Sequence, residues 1–447
     1  MAVTRRRRAA VLAGAAAAGI IAVTLSAYAL RAWLTARGTA SGPAFWAWTP
    51  LAGLLLAQTA LYLCERPTRA DRQGQERLDA LDVTVLMPVF NEDNGYLRAA
   101  LASLLAQTRL PDSVHVVDDG SELSHRAVRR WWMRAAREHG VRTSWHRTPN
   151  RGKRQAQVLA ARHCPQADVF VTVDSDAQLA PDALHEVLQP LADDRVQAVA
   201  GLVLARNNRS GLLSRVTDLW YVTSQMVERA SLSPLGGVMV ASGSLAAYRA
   251  ELLTDHADGY LSETFFGRPV TFSDDSLLTL YALARGRVVQ QPTAVVFTAM
   301  PEKVGHHLRQ YLRWMRGSSL RALWRVRYLP VHHPALLAQI LRWFQQLAST
   351  AALLWLVALH LRPGAQPSAL LLAVPLLLTC GQTLRYLVLR RSDQTLASQL
   401  ATWALTPLAV LWSWMVLRPT RWYGALTCWK TGWGTRQAGA EVKLDPA

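Results

Sequence analysis

The chain has 447 residues, 51% hydrophobic and 18% charged, and its 49 Lys and Arg outnumber its 31 Asp and Glu to give a formal net charge of +18. That balance is too apolar for an ordinary soluble protein and too polar for a bare bundle of membrane helices, so a soluble domain joined to several apolar segments is expected. The basic surplus flanks apolar runs, at Arg5 to Arg8, Arg309 to Arg327, Arg385, Arg390 and Arg391, and no nucleic-acid-binding motif accompanies it; the expected partner is a lipid bilayer and not a nucleic acid.

Residues 9–30 are uncharged and follow four arginines, which predicts a span of about 33 Å with its N-terminus inside. A cleaved signal peptide is the competing reading, because Ala27-Tyr28-Ala29 resembles a cleavage site. A second uncharged run, 43–64, would return the chain to the cytoplasm. Cys64, Cys164, Cys380 and Cys428 follow neither disulfide nor metal-ligand spacing, as in a reducing compartment.

From about residue 80 apolar strand-like runs alternate with helical ones. The expected strands are Asp82–Phe90, Ser113–Val117, Asp168–Val173, Ala198–Ala205 and Val288–Thr298, with a helix at Tyr96–Gln107. Such alternation implies a mostly parallel Rossmann-like α/β sheet, whose ligands bind beyond the carboxyl ends of the strands. His306–Arg327 interleaves Leu, Tyr and Trp with Arg, as in a helix lying in a membrane interface. Apolar blocks follow at 336–361, 367–389 and 394–417, the last interrupted by Pro407.

Four acidic or mixed clusters carry candidate chemistry. Asp118-Asp119-Gly120-Ser121 closes a strand and suits either a nucleotide contact or a surface turn. Asp174-Ser175-Asp176 closes another, and its paired carboxylates suit Mg²⁺ or Mn²⁺, or else a helix cap. Ser273-Asp274-Asp275 precedes the helical run Leu277–Ala284 and offers a single general base for glycosyl transfer, or acidic first-turn residues. Gln310, Arg313 and Trp314 share one helical face, where the guanidinium fork suits a diphosphate and the indole a pyranose ring; an interfacial helix with an anchoring Trp is the alternative.

Taken in order from Pro88-Val89-Phe90-Asn91-Glu92 through these four clusters, the sequence resembles the processive family 2 glycosyltransferases: cellulose, chitin and hyaluronan synthases. Asn150 to Ala156, Ser242-Gly243-Ser244 with Tyr248-Arg249, and Trp433-Gly434-Thr435-Arg436 are similar to hyaluronan synthases in particular. The resemblance implies a GT-A-type cytoplasmic domain and a multi-pass protein of the cell membrane. It divides the chain into a transmembrane hairpin (1–68), the GT-A domain (69–302), interface helices (303–334), transmembrane or re-entrant helices (335–424) and a gating loop with the tail (425–447).

The same resemblance implies donor contacts from Phe90, Glu92, Asp118, Asp119, Lys153, Arg154, Asp174, Gln310, Arg313 and Arg436, with Phe90 and Asp119 on the uridine. Asp174 and Asp176 would hold the metal, and Asp275 would be the base. Trp314, Ser242, Gly243 and Tyr248 would face the acceptor, and Trp433, Gly434, Thr435 and Arg436 would gate the donor site. The implied reaction polymerises UDP-GlcNAc and UDP-GlcUA into a growing β-linked polysaccharide. The alternatives are a chitin-type synthase using UDP-GlcNAc alone, or a transferase adding one sugar to a lipid. The family usually has Arg at Ser276, Pro at Ser244 and Tyr at Phe90, and the first two departures are expected to touch the acceptor side.

Overall fold

The computed structural model describes residues 57–361, 376 and 379–432. Most of the expected N-terminal hairpin, 11 of the 23 residues of the block at 367–389 and all of the Trp433–Arg436 loop therefore lie outside the described residues. Ten strands are described: β1 (Val83–Val89), β2 (Ser113–Asp118), β3 (Arg142–Arg147), β4 (Val169–Thr172), β5 (Gln178–Leu179), β6 (Val196–Ala205), β7 (Ala246–Arg249), β8 (Thr264–Phe265), β9 (Arg268–Pro269) and β10 (Arg287–Thr298).

Eight of them form one sheet in the order β3-β2-β1-β4-β7-β6-β10-β5. Only β7 and β5 run antiparallel to their neighbours, so the carboxyl ends of β1, β2, β4, β6 and β10 meet along one edge. All seven residues of β1 are buried, as expected for a strand covered on both faces. Val83, Val85, Met87 and Val89 enter one core with α1 (Asn94–Leu105) and α2 (Arg126–Glu138). Leu86 enters the other with α3 (Lys153–Arg162) and α5 (Asp274–Arg285), where Ala160, Phe170 and Leu278 meet it. Pro88 lies beyond the last β1–β4 pair, Leu86 with Thr172, so its missing N–H breaks no ladder bond on that side.

Helix α4 (Leu212–Ser224) runs into a π-helical turn at Gln225–Arg229, and α6 (Val304–Tyr328) and α7 (Pro334–His360) follow the sheet. Helix α6 buries His307, Gln310, Arg321 and Arg325 beside Tyr311, Leu320 and Ala322, while Leu323, Val326 and Tyr328 stay 51–62% exposed. Close approach of the C-terminal helix Arg418–Leu426 depends on Gly424, where a Cβ would lie 2.7 Å from that of Met315. No single helix among the described residues is long and apolar enough to cross a membrane. Leu396–Trp403 and Thr406–Leu426 pass that test together, bent by 43° at the break.

Arg385 and Arg391, read from the sequence as charges flanking an apolar block, are instead buried ion-pair partners. Arg391 meets Asp218 of α4 at 2.6 Å with both side chains fully enclosed, and the Tyr386 hydroxyl donates to the same carboxylate at 2.8 Å. Arg385 lies 3.5 Å from Glu65 and donates to the Tyr62 carbonyl. Removing one partner of such a pair leaves an uncompensated buried charge. Arg391→Met should therefore lower unfolding free energy by about 3–5 kcal/mol in a denaturant titration, with Asp218→Asn added to it recovering part of the loss; a loss below about 1 kcal/mol would mean that the pair is hydrated.

Candidate active site

At the carboxyl edge of the sheet a cavity of about 330 Å³ opens between the strand ends and α6. Phe90 and Glu92 reach it from the end of β1, Asp174 and Asp176 from β4, and Lys153 from the first residue of α3. Lys153 Nζ donates to Asp174 Oδ1 at 2.5 Å, and Ser244 Oγ donates to the other oxygen at 3.1 Å. Thr298 Oγ1 and the Ala299 N–H donate to Asp176, and Ser175 Oγ to Glu92. Withdrawal from water, reinforced by the Asp174 charge, pushes the Asp176 carboxyl above its usual range. Burial and the Asp176 charge push Glu92 up to about 7.

These are hard oxygen donors crowded by their own repulsion, the chemistry that suits Mg²⁺ or Mn²⁺. Among the described residues no cluster of three or more His, Cys, Asp or Glu is gathered for a metal. The Asp174–Asp176 pair fits an ion that takes its remaining ligands from substrate phosphate and water.

Asp275 stands opposite, in the first turn of α5. Ser273 just before that helix adopts left-handed φ, +63°. Asp275 Oδ1 accepts the Ser276 N–H at 2.8 Å, and Oδ2 lies 3.4 Å from the Gly243 nitrogen. Withdrawal from water raises its proton affinity, Lys153 lowers it, and Asp274 and Asp174 raise it further. Gln310, Arg313 and Trp314 line the same cavity from α6, and the Trp314 ring stacks on Tyr221 with centroids 5.6 Å apart. Gly317, one turn on, lets α6 touch the Asp275 loop: a Cβ there would sit 2.9 Å from Ser273 Oγ. Ser242 and Gly243 line the cavity too, Ser242 Oγ accepting from Arg229 at 2.5 Å.

Other expected contacts fall behind the wall. Both Asp119 oxygens accept backbone N–H groups, from Arg151 at 2.8 Å and Gly152 at 2.9 Å, and Asp118 accepts from the Ser121 N–H. The pair thus shapes the loop that delivers Lys153. Gly120, at φ +79°, is needed there because a Cβ would lie 2.6 Å from the Asn150 nitrogen.

Two expectations are corrected. Arg154 does not face the donor: it is buried, donating to Asp274 at 3.0 Å and Glu263 at 2.8 Å, because the first turn of α3 points consecutive side chains in different directions. Tyr248 does not face the acceptor: strand alternation on β7 turns it into the core, where its hydroxyl donates to the Ala241 carbonyl. Ser244 lines the same cavity and donates to Asp174.

Sequence reasoning missed Glu263, Arg321 and the far wall of the cavity, formed by Tyr221, Glu228, Arg229, Arg342 and Arg421. One signal was available for Arg321: Gln310, Trp314, Gly317, Arg321 and Trp324 recur at four- and three-residue steps, a buried-stripe spacing filled by polar groups.

Residues 80–317 match the domain described as Glycosyltransferase like family 2. The chain is 33% identical over 361 residues to the hyaluronan synthase of Streptococcus pyogenes, covering 79% of this chain and 83% of that protein. It is 37% identical over 239 residues to an N-acetylglucosaminyltransferase of Rhizobium meliloti, covering 53% and 55%. A mannosyltransferase from Pyrobaculum calidifontis, solved with GDP-Man and Mn²⁺, superposes with a TM-score of 0.52 at 22% identity over 90% of this chain and 99% of its own, a likeness of fold.

Gly243 tests the cavity directly, since a Cβ there would lie 3.2 Å from Lys153 Nζ and 3.6 Å from Asp174 Oδ1. Gly243→Val should raise the KM for donor several-fold without moving the unfolding midpoint; an unchanged KM would mean that donor binds elsewhere.

Proposed function

The chain belongs to glycosyltransferase family 2 and has its GT-A-type fold, and from that premise we propose a membrane-embedded, processive, inverting enzyme that joins UDP-GlcNAc and UDP-GlcUA into a hyaluronan-like β-linked polysaccharide. The observation that carries this reading is the convergence of Asp275, the Lys153–Asp174 pair and the Gln310–Arg313–Trp314 face on one cavity. Trp314, backed by Tyr221, holds the acceptor sugar by its apolar face. Asp275 takes the proton of the acceptor hydroxyl as that oxygen attacks the anomeric carbon; the bond to UDP breaks, and the diphosphate leaves towards Lys153, Gln310 and Arg313. A carboxylate with raised proton affinity is a stronger base than one in open water. Asp174 and Asp176 would hold Mg²⁺ or Mn²⁺, which when bound neutralises the diphosphate as a leaving group.

Two features support a bilayer as partner. Helix α6 turns Leu323, Val326 and Tyr328 outward while burying Arg321 and Arg325, which suits a helix between protein and lipid. The bent pair from Leu396 to Leu426 has the form of a broken span or a re-entrant segment. A gating role for Trp433, Gly434, Thr435 and Arg436 has a suitable starting point, because the Thr431 carbonyl accepts both the N–H and the Oγ1 of Thr271, four residues before Asp275.

Likeness to the rhizobial N-acetylglucosaminyltransferase favours a second reading, a chitin-type synthase using UDP-GlcNAc alone. Charge separates the two. Arg229, Arg342 and Arg421 line the cavity with Glu228 paired to Arg342 and Asp275 acting on Arg229, a surplus of one positive charge that suits a polymer carrying uronates better than a neutral one.

Purified, reconstituted protein should make polymer only when both donors are supplied. Polymer from UDP-GlcNAc alone would move the assignment to the chitin type, and a single labelled sugar extracted into organic solvent would move it to a lipid acceptor. Asp275→Asn should lower turnover by about 10²–10⁴-fold while UDP affinity holds, and the acid limb of the wild-type pH profile should lie above the ordinary carboxylate range. Undiminished turnover in that variant would remove Asp275 from the role.

A further inference from the structure

Beside the cavity, which Asp274 also lines, lies a group of four charges that the transfer chemistry does not itself use. Glu263, just ahead of the β8–β9 hairpin, accepts from three side chains: Arg154 Nη2 at 2.8 Å, both terminal nitrogens of Arg321 and Trp324 Nε1 at 2.8 Å. Arg154 also donates to Asp274 at 3.0 Å. No side chain in the Arg154–Glu263–Arg321–Asp274 quartet is more than 8% exposed, and its two positive and two negative charges balance.

The partners come from the three elements that carry the proposed chemistry. Arg154 follows Lys153 at the start of α3, Asp274 precedes Asp275 at the start of α5, and Arg321 lies two turns beyond Trp314 on α6. The network also grips backbone: Arg154 donates to the carbonyls of Phe272 and Tyr260, and Arg321 to that of Ser273, the residue held at left-handed φ. A non-glycine residue in that conformation persists only where its surroundings over-determine it.

Buried ion networks rarely add stability over packed apolar side chains, because desolvation offsets the attraction. What this one supplies is geometry. Resting on the assignment of Asp275 as base, we propose that Glu263 is a positioning residue for glycosyl transfer, holding the Asp275 loop in register with Lys153 on α3 and with the Gln310–Trp314 face of α6.

The test compares Glu263→Gln with wild type in the full-length, reconstituted protein. Glutamine keeps the shape but gives up the charge and one acceptor oxygen, so α3 and α6 lose their shared anchor. UDP affinity by calorimetry should stay within about threefold, because Lys153 and Arg313 remain, while turnover per titrated UDP site falls by tenfold or more. Glu263→Asp should recover part of that turnover. Turnover per site within twofold of wild type overturns the proposal, and so does a loss of UDP binding in step with turnover, which would mark Glu263 as a support of the donor pocket alone. If Glu263→Gln gives no folded protein, Arg321→Lys, which keeps the charge without the fork, is held to the same two criteria. Asp275→Asn assayed alongside separates the premises: full activity there defeats the base assignment, whereas an inactive Asp275→Asn with an unimpaired Glu263→Gln defeats only the positioning role.

Discussion

Carboxylates converging on one cavity repel one another, and the fold offsets this by setting a cation beside several of them. Asp174 has Lys153, Asp274 has Arg154, and Glu263 has Arg154 and Arg321. Where that compensation is weakest, burial and then mutual repulsion raise the proton affinities of Glu92 and Asp176. A dication brought in with a nucleotide diphosphate, or the positively charged character of a glycosyl transition state, would find negative potential already concentrated there.

Compensation of this kind constrains packing. A guanidinium on α6 can serve a carboxylate ahead of the β8–β9 hairpin only if the helix lies against the loop that leads into α5, and Gly317 makes that contact possible. Gly424 does the same on the opposite side, admitting the C-terminal helix to the backbone of α6. Helix α6 is therefore clamped between the Asp275 loop and the C-terminal helix, with Arg321 and Arg325 inward and Leu323, Val326 and Tyr328 outward. Asp218–Arg391 and Glu65–Arg385 fasten the chain on either side of the apolar segments to the same α/β domain.

How much of this was legible differs from element to element. The strands β1, β2, β4, β6 and β10 stood out because a strand covered on both faces must be apolar along its length. The strand β3 did not, since an edge strand reading Arg-Thr-Ser-Trp-His-Arg has no such requirement, and β7, at four residues, is too short to show a period. Phe90, Lys153, Asp174, Asp275, Gln310, Arg313 and Trp314 were all named from the sequence and line one cavity. Arg154 and Tyr248 were named beside them and lie behind it.

The order and spacing of the motifs, together with the alternation of strand and helix, pointed to the family, the parallel sheet and the residues that line the cavity. Those properties are local, because a buried strand or an amphipathic helix imposes its period on the residues that form it. The direction in which each side chain points was settled by tertiary structure. Lys153 and Arg154 are adjacent in sequence and equal in charge, yet one faces the cavity and the other a buried carboxylate contributed by a loop more than a hundred residues away. Neither period nor composition encodes that choice; it is made by which opposite charge the folded chain brings within reach.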